Sequence, residues 1–138
     1  MDYRKFYLKR FWGHLFSMPF IWLPLPFLLV LDLIVELYHQ VCFPIYGLPK
    51  VKRKEFILII DRNKLKYLYP LEKLGCMYCG YANGVVAYFK EIANRTEKYW
   101  CGVMHENKPG FKTQAHQVDQ NFSVFNDEKD FNDKYESK

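Results

Sequence analysis

Seventeen residues from Leu15 to Leu31, LFSMPFIWLPLPFLLVL, carry no charge. No other stretch limits the fold as strongly. Crossing a bilayer takes about 20 apolar residues, so the run falls slightly short. Extending it through Tyr38 makes it long enough and sets Asp32 and Glu36 at or near its far boundary. Pro19, Pro24 and Pro26 lie inside it, and each removes a helix hydrogen-bond donor. Pro24 and Pro26 together predict a kink or break. Two arrangements follow: a kinked helix that crosses the membrane, or two short helices that meet at Pro24-Leu25-Pro26 and dip into one leaflet. A buried helix pair in a soluble protein is the third. Basic residues flank both sides, with Arg4, Lys5, Lys9 and Arg10 before and Lys50, Lys52, Arg53 and Lys54 after. Lysine and arginine favour the cytoplasmic side, so this symmetry suits the re-entrant form as well as a span. Residues 1–42 are read as a membrane-associated anchor.

The first fourteen residues interleave these cations with Tyr3, Phe6, Tyr7, Phe11 and Trp12. That mixture suits the headgroup layer, where rings sit at the interface and cations meet phosphates. The net charge of +5 is clustered around the apolar run, which points to membrane lipid. No nucleic-acid-binding motif is present, and nucleic acid is not an expected partner.

Residues 43–106 read as a small domain. Pro44, Gly47 and Pro49 make a turn-rich connector, and Glu55–Ile60 (EFILII) fits a short strand. Asp61 suits a cap for the segment that follows, and Pro70 suits a first helical position. Asn83-Gly84 signals a turn, and the apolar face of Val85, Tyr88, Phe89 and Ile92 predicts a helix after it. Residues 107–138 are polar, without periodicity, and read as a flexible tail. The expected fold class is mainly α, with at most a short strand or hairpin.

The chemistry-bearing feature is CMYCGYANGVVAYFKEIANRTEKYWCGVMH, from Cys76 to His105. Nothing after the apolar run looks like a cleavage site for secretion. A reducing compartment is therefore expected, where clustered Cys and His act as metal ligands or thiol pairs. Cys76, Cys79, Cys101 and His105 make a candidate zinc site, with iron as the alternative metal. His39 and Cys42 have the same knuckle spacing and form a rival set with Cys76 and Cys79. Either set imposes a geometric condition. A straight helix from Cys79 to Cys101 would be roughly 33 Å long, so the chain must reverse between them, at Gly80, Asn83, Gly84 or Asn94. A redox Cys-x-x-Cys and plain structural cysteines are the other readings. Asp32, Glu36 and His39 share one helix face, which places them at the polar interface or in pairs with the basic connector; a lipid-facing enzyme is the rival reading. A di-iron bundle needs a second Glu-x-x-His, which the chain lacks.

From Asp61 to Cys101 the sequence resembles a family of small, uncharacterised bacterial membrane-associated proteins. Tyr78-Cys79, Tyr81-Ala82-Asn83-Gly84, Arg95-Thr96-Glu97 and Tyr99-Trp100-Cys101 carry the likeness, which extends over about residues 14–106. Gly102 stands where the family pattern has proline, which loosens the loop before His105. The resemblance implies a bacterial origin and membrane association, hence an inner-membrane location with the C-terminal domain cytoplasmic. It implies no activity. The expected role is an accessory or scaffold protein stapled by structural zinc and working with another membrane protein. A redox accessory subunit is the alternative.

Overall fold

The computed structural model describes residues 10–59, 61 and 64–136. The basic-aromatic residues 1–9 lie outside the described residues. The fold is mainly α, as the composition and periodicity predict, and no strand forms among the described residues.

Helix α1 spans Phe11–Trp22 and α2 spans Pro24–Tyr46. Only Leu23 separates them, and its backbone stays helical, with its N–H bonded to the Pro19 carbonyl at 2.9 Å. The two form one bent helix of 36 residues. The bend falls where expected, because Pro24 and Pro26 cannot donate to the preceding turn. Helix α2 runs past the predicted anchor limit at residue 42. It stops at Gly47, whose left-handed backbone (φ 70°) lets its N–H reach the Phe43 and Pro44 carbonyls.

The connector closes over α2 with a 3-10 turn at Arg53–Glu55. Helix α3 then spans Pro70–Trp100, 31 residues and roughly 46 Å. Pro70 takes the first helical position, where its missing N–H costs nothing. Glu72 Oε2 accepts the Tyr69 N–H at 2.8 Å and caps the start. Helices α2 and α3 run parallel. Trp22, just before α2, stacks on Tyr78 (4.8 Å between centroids), and Tyr46 stacks on Tyr99 (4.6 Å). Phe43, Val51, Tyr88 and Ile92 form the core between them, flanked by Val35, Tyr38, Leu48, Phe56 and Phe89.

Two expectations fail for tertiary reasons. The Glu55–Ile60 run is not a strand in its described part: among the described residues no second strand lies beside it, and without a ladder partner its β-branched residues have nothing to pair with. It lies across α3 instead. Asn83-Gly84 is not a turn either. A side-chain β-carbon at Gly84 would sit 2.6 Å from the Phe56 carbonyl oxygen and 2.8 Å from the Ile57 α-carbon. The glycine is needed for backbone to touch helix, not for chain reversal. Gly80, one turn earlier, faces the Leu58 carbonyl at 3.3 Å.

The predicted tail is folded. Helix α4 spans Ala115–Asp119 and α5 spans Glu128–Tyr135. Phe122 is buried against the end of α3, with the Lys98 ammonium 5.0 Å from its ring centre. Ser123 N–H bonds the Gly102 carbonyl at 2.7 Å, and Met104 N–H bonds the Ser123 carbonyl at 2.8 Å.

Candidate functional site

Three places gather chemistry. The first is a polar clamp at the end of the uncharged run. Arg53 donates to both oxygens of Asp32, at 2.6 and 2.5 Å. Tyr81 donates to the same carboxylate at 2.8 Å. Tyr88 donates to Glu36 at 2.7 Å, and Gln40 donates to the other Glu36 oxygen at 2.6 Å. Lys50 extends the chain to Gln40.

His39, 1% exposed, sits inside this clamp. Its Nε2 accepts the Val51 backbone N–H at 2.9 Å, so the neutral ring carries its proton on Nδ1. That proton faces Tyr88 at 2.9 Å, and the Tyr88 hydroxyl proton is already committed to Glu36. The order His39 to Tyr88 to Glu36 is thereby fixed. Burial and the bond to Asp32 push the Tyr81 phenol up to about 12. Burial and the bond to Glu36 push Tyr88 higher still. Both phenols therefore stay protonated as donors.

Asp32, Glu36 and His39 are thus brought together, as a lipid-facing enzyme would require, yet each spends its hydrogen bonds on neighbours. None of the three lines either cleft described below. The arrangement fastens α2, the connector and α3 to one another. The pairing of Asp32 with Arg53 in the basic connector follows the expectation, whereas no sequence pattern links Asp32 to Tyr81, 49 residues away.

The second place is the cysteine constellation. Cys76 and Cys79 stand one turn apart on the first half of α3, and Cys101 is the residue that ends it. The helix does not reverse at Gly80, Asn83, Gly84 or Asn94. Asn83 instead bonds back to the Cys79 carbonyl at 2.8 Å within the helix. Twenty-five residues of helix place Cys101 roughly 37 Å from Cys76. His105 follows Cys101 and packs on Phe111, 5.3 Å between centroids. The structure does not bring Cys76, Cys79, Cys101 and His105 together.

The rival set is also split. Cys42 lies near the Tyr99 end of the helix pair and Cys76 near the Trp22 end, about 30 Å of helix apart. Both nitrogens of His39 are taken. Among the described residues no group of three or more His, Cys, Asp or Glu side chains is placed to hold a metal ion.

What the structure assembles instead is a cleft of about 470 Å³ lined by Cys76, Cys79, Gly80, Asn83, Phe56 and Leu58. Both thiols are free. Gly80 and Gly84, four residues apart, were the readable signal for this notch: small residues at that spacing let backbones approach a helix closely. A second cleft of about 460 Å³ runs between α2 and α3 and is lined by Val35, Tyr38, Phe89, Ile92, Thr96 and Glu97.

The third place is the far end of α3. Glu97 accepts from His116 at 2.7 Å and from Gln117 at 2.9 Å. Lys98 donates to Tyr135 at 2.5 Å and to the Asn121 carbonyl at 3.1 Å.

Comparison with protein-family models, with curated proteins and with solved structures finds no match to this chain.

Proposed function

We propose that the protein is a membrane-anchored accessory protein, seated in the bacterial inner membrane by the apolar stretch of the bent α1–α2 helix before Asp32, with the segment after α3 cytoplasmic. One observation carries the reading. The helix Phe11–Tyr46 is long and apolar enough to cross a membrane, and only 6% of its most apolar window is buried. Trp12, Phe16, Phe27 and Leu33 are each more than 70% exposed. Leaving a side chain of this size in water rather than apolar surroundings costs about 1.5–3 kcal/mol, so this surface calls for lipid or an apolar partner.

The clamp supports the same reading. The first charge after the uncharged run, Asp32, is neutralised by Arg53 and hydrogen-bonded by Tyr81. Lys50, Lys52 and Lys54 stand around Arg53, where anionic headgroups would meet them. The platform of α2 and α3 then presents its clefts to a membrane-protein partner, the scaffold role. Expression of the full chain in bacteria, followed by membrane flotation and alkaline carbonate washing, tests this. Retention in the washed membrane fraction is expected. Quantitative recovery as a soluble monomer would overturn it.

A further inference from the structure

We propose that Cys76 and Cys79 form a two-coordinate thiolate site for a soft monovalent cation, copper(I). The argument starts from donor number. Zinc in a structural site takes four ligands. The unbroken helix α3 holds Cys101 and His105 out of reach and leaves Cys76 and Cys79 as a pair. Two thiolates are half a zinc site but a complete one for a linear soft ion, and soft sulfur ligands select copper(I).

The geometry suits such an ion. Residues three apart on a helix have their β-carbons about 5–6 Å from each other on one face. The two sulfurs can therefore turn toward a shared ion without any change in the backbone. Both line the same cleft. Gly80 adds no side chain beside Cys79, and the nearest backbone atom, the Leu58 carbonyl oxygen, stops 3.3 Å from where a β-carbon would be. Binding is balanced as one copper(I) and two thiols giving one bis-thiolate complex and two protons, with no change in oxidation state. The complex carries one negative charge. Lys73, one turn before Cys76 on the same side of α3, is placed to offset it. The cleft is open enough for a third thiolate to reach the ion, which makes the ion exchangeable rather than structural. The proposal stands on α3 and the connector segment laid across it and does not depend on membrane anchoring.

The test is a titration of the full-length, reduced chain in detergent with copper(I), without oxygen and against bicinchoninate as competitor. One copper(I) per chain is expected. Cys76→Ser and Cys79→Ser should each lower affinity at least about 100-fold, while Cys42→Ser and Cys101→Ser leave it unchanged. Helical circular dichroism of each variant checks the fold. In the unmutated chain, copper(I) should protect Cys76 and Cys79 together from alkylation, read by mass spectrometry, and leave Cys101 reactive. No binding, loss of binding in Cys101→Ser or His105→Ala, or saturation at one metal per two chains with dimer formation would each overturn the proposal. Zinc bound as tightly as copper(I) would also overturn it.

Discussion

The two halves of α3 meet very different surroundings. Its C-terminal half is wrapped: Glu97 and Lys98 each bond two groups from residues 116–135, and Phe122 is sealed against it. Its N-terminal half is more open, with two thiols in a cleft and Leu71 and Leu74 exposed. One helix thus carries a closed end and an open one. The difference comes from what the flanking chain supplies. The segment after α3 brings side chains that hydrogen-bond to it, whereas the segment before it lays backbone over Gly80 and Gly84 and packs Phe56 on Tyr88.

The comparison can be broken most forcefully at the closed end. Phe122→Ala removes a fully buried ring and should cost about 3–5 kcal/mol, read as denaturant unfolding of the C-terminal region. At the open end, Leu74→Ala should change stability by less than about 0.5 kcal/mol. Equal effects at the two ends would erase the contrast. Next in size, Arg53→Ala strands the Asp32 carboxylate. Breaking a buried pair costs about 3–5 kcal/mol, and because the Arg53 side chain is 37% exposed the low end, about 3 kcal/mol, is expected from thermal unfolding in detergent.

Gly84→Ala should destabilise by about 1–2 kcal/mol. Crowding of the Phe56 and Ile57 backbone costs about 1–3 kcal/mol, against a gain in helix propensity of up to about 1 kcal/mol. Gly80→Ala, with more room, should be close to neutral. Similar losses at both glycines would show that the notch is not what holds the connector.

The smallest effect is a pH dependence at the closed end. Burial alone would raise the Glu97 carboxyl, but the bonds from Gln117 and His116 outweigh it and hold the group below its usual 4.5. A carboxyl lowered in the folded state stabilises the fold above its unfolded value, and that contribution fades as pH falls through the folded one. Amide-exchange protection in residues 115–124, taken relative to the intrinsic rate at each pH, should therefore fall as pH drops below 4.5, and Glu97→Gln should flatten that dependence. Unchanged protection in acid would remove Glu97 from the account.

What was legible in the sequence was local. Pro24 and Pro26 mark the bend, Pro70 opens α3, and the uncharged run fixes the exposed apolar helix, because each acts through its own backbone or its own length. What was hidden depends on partners distant in the chain. Asn83-Gly84 has the composition of a turn, yet Asn83 bonds within the helix and Gly84 receives the Phe56 backbone. The Glu55–Ile60 run has strand composition, and among the described residues no strand lies beside it. The polar tail holds one buried ring, Phe122, and two side chains aimed at Glu97, a pattern without periodicity. Cys76 and Cys79 were legible as neighbours one helical turn apart, and a candidate metal site was drawn from them. Its extension to Cys101 and His105 rested on a reversal that the packed helix does not make.

The continuity of α3 is the claim on which the separation of closed and open ends depends. Spin labels at Cys76 and Cys101, with Cys42 and Cys79 replaced by serine, measure it directly by pulsed dipolar spectroscopy. A mean separation of roughly 37 Å is predicted for an unbroken helix. A separation under about 15 Å, well short of that rise, would show that the chain folds back and would return Cys101 to the neighbourhood of Cys76.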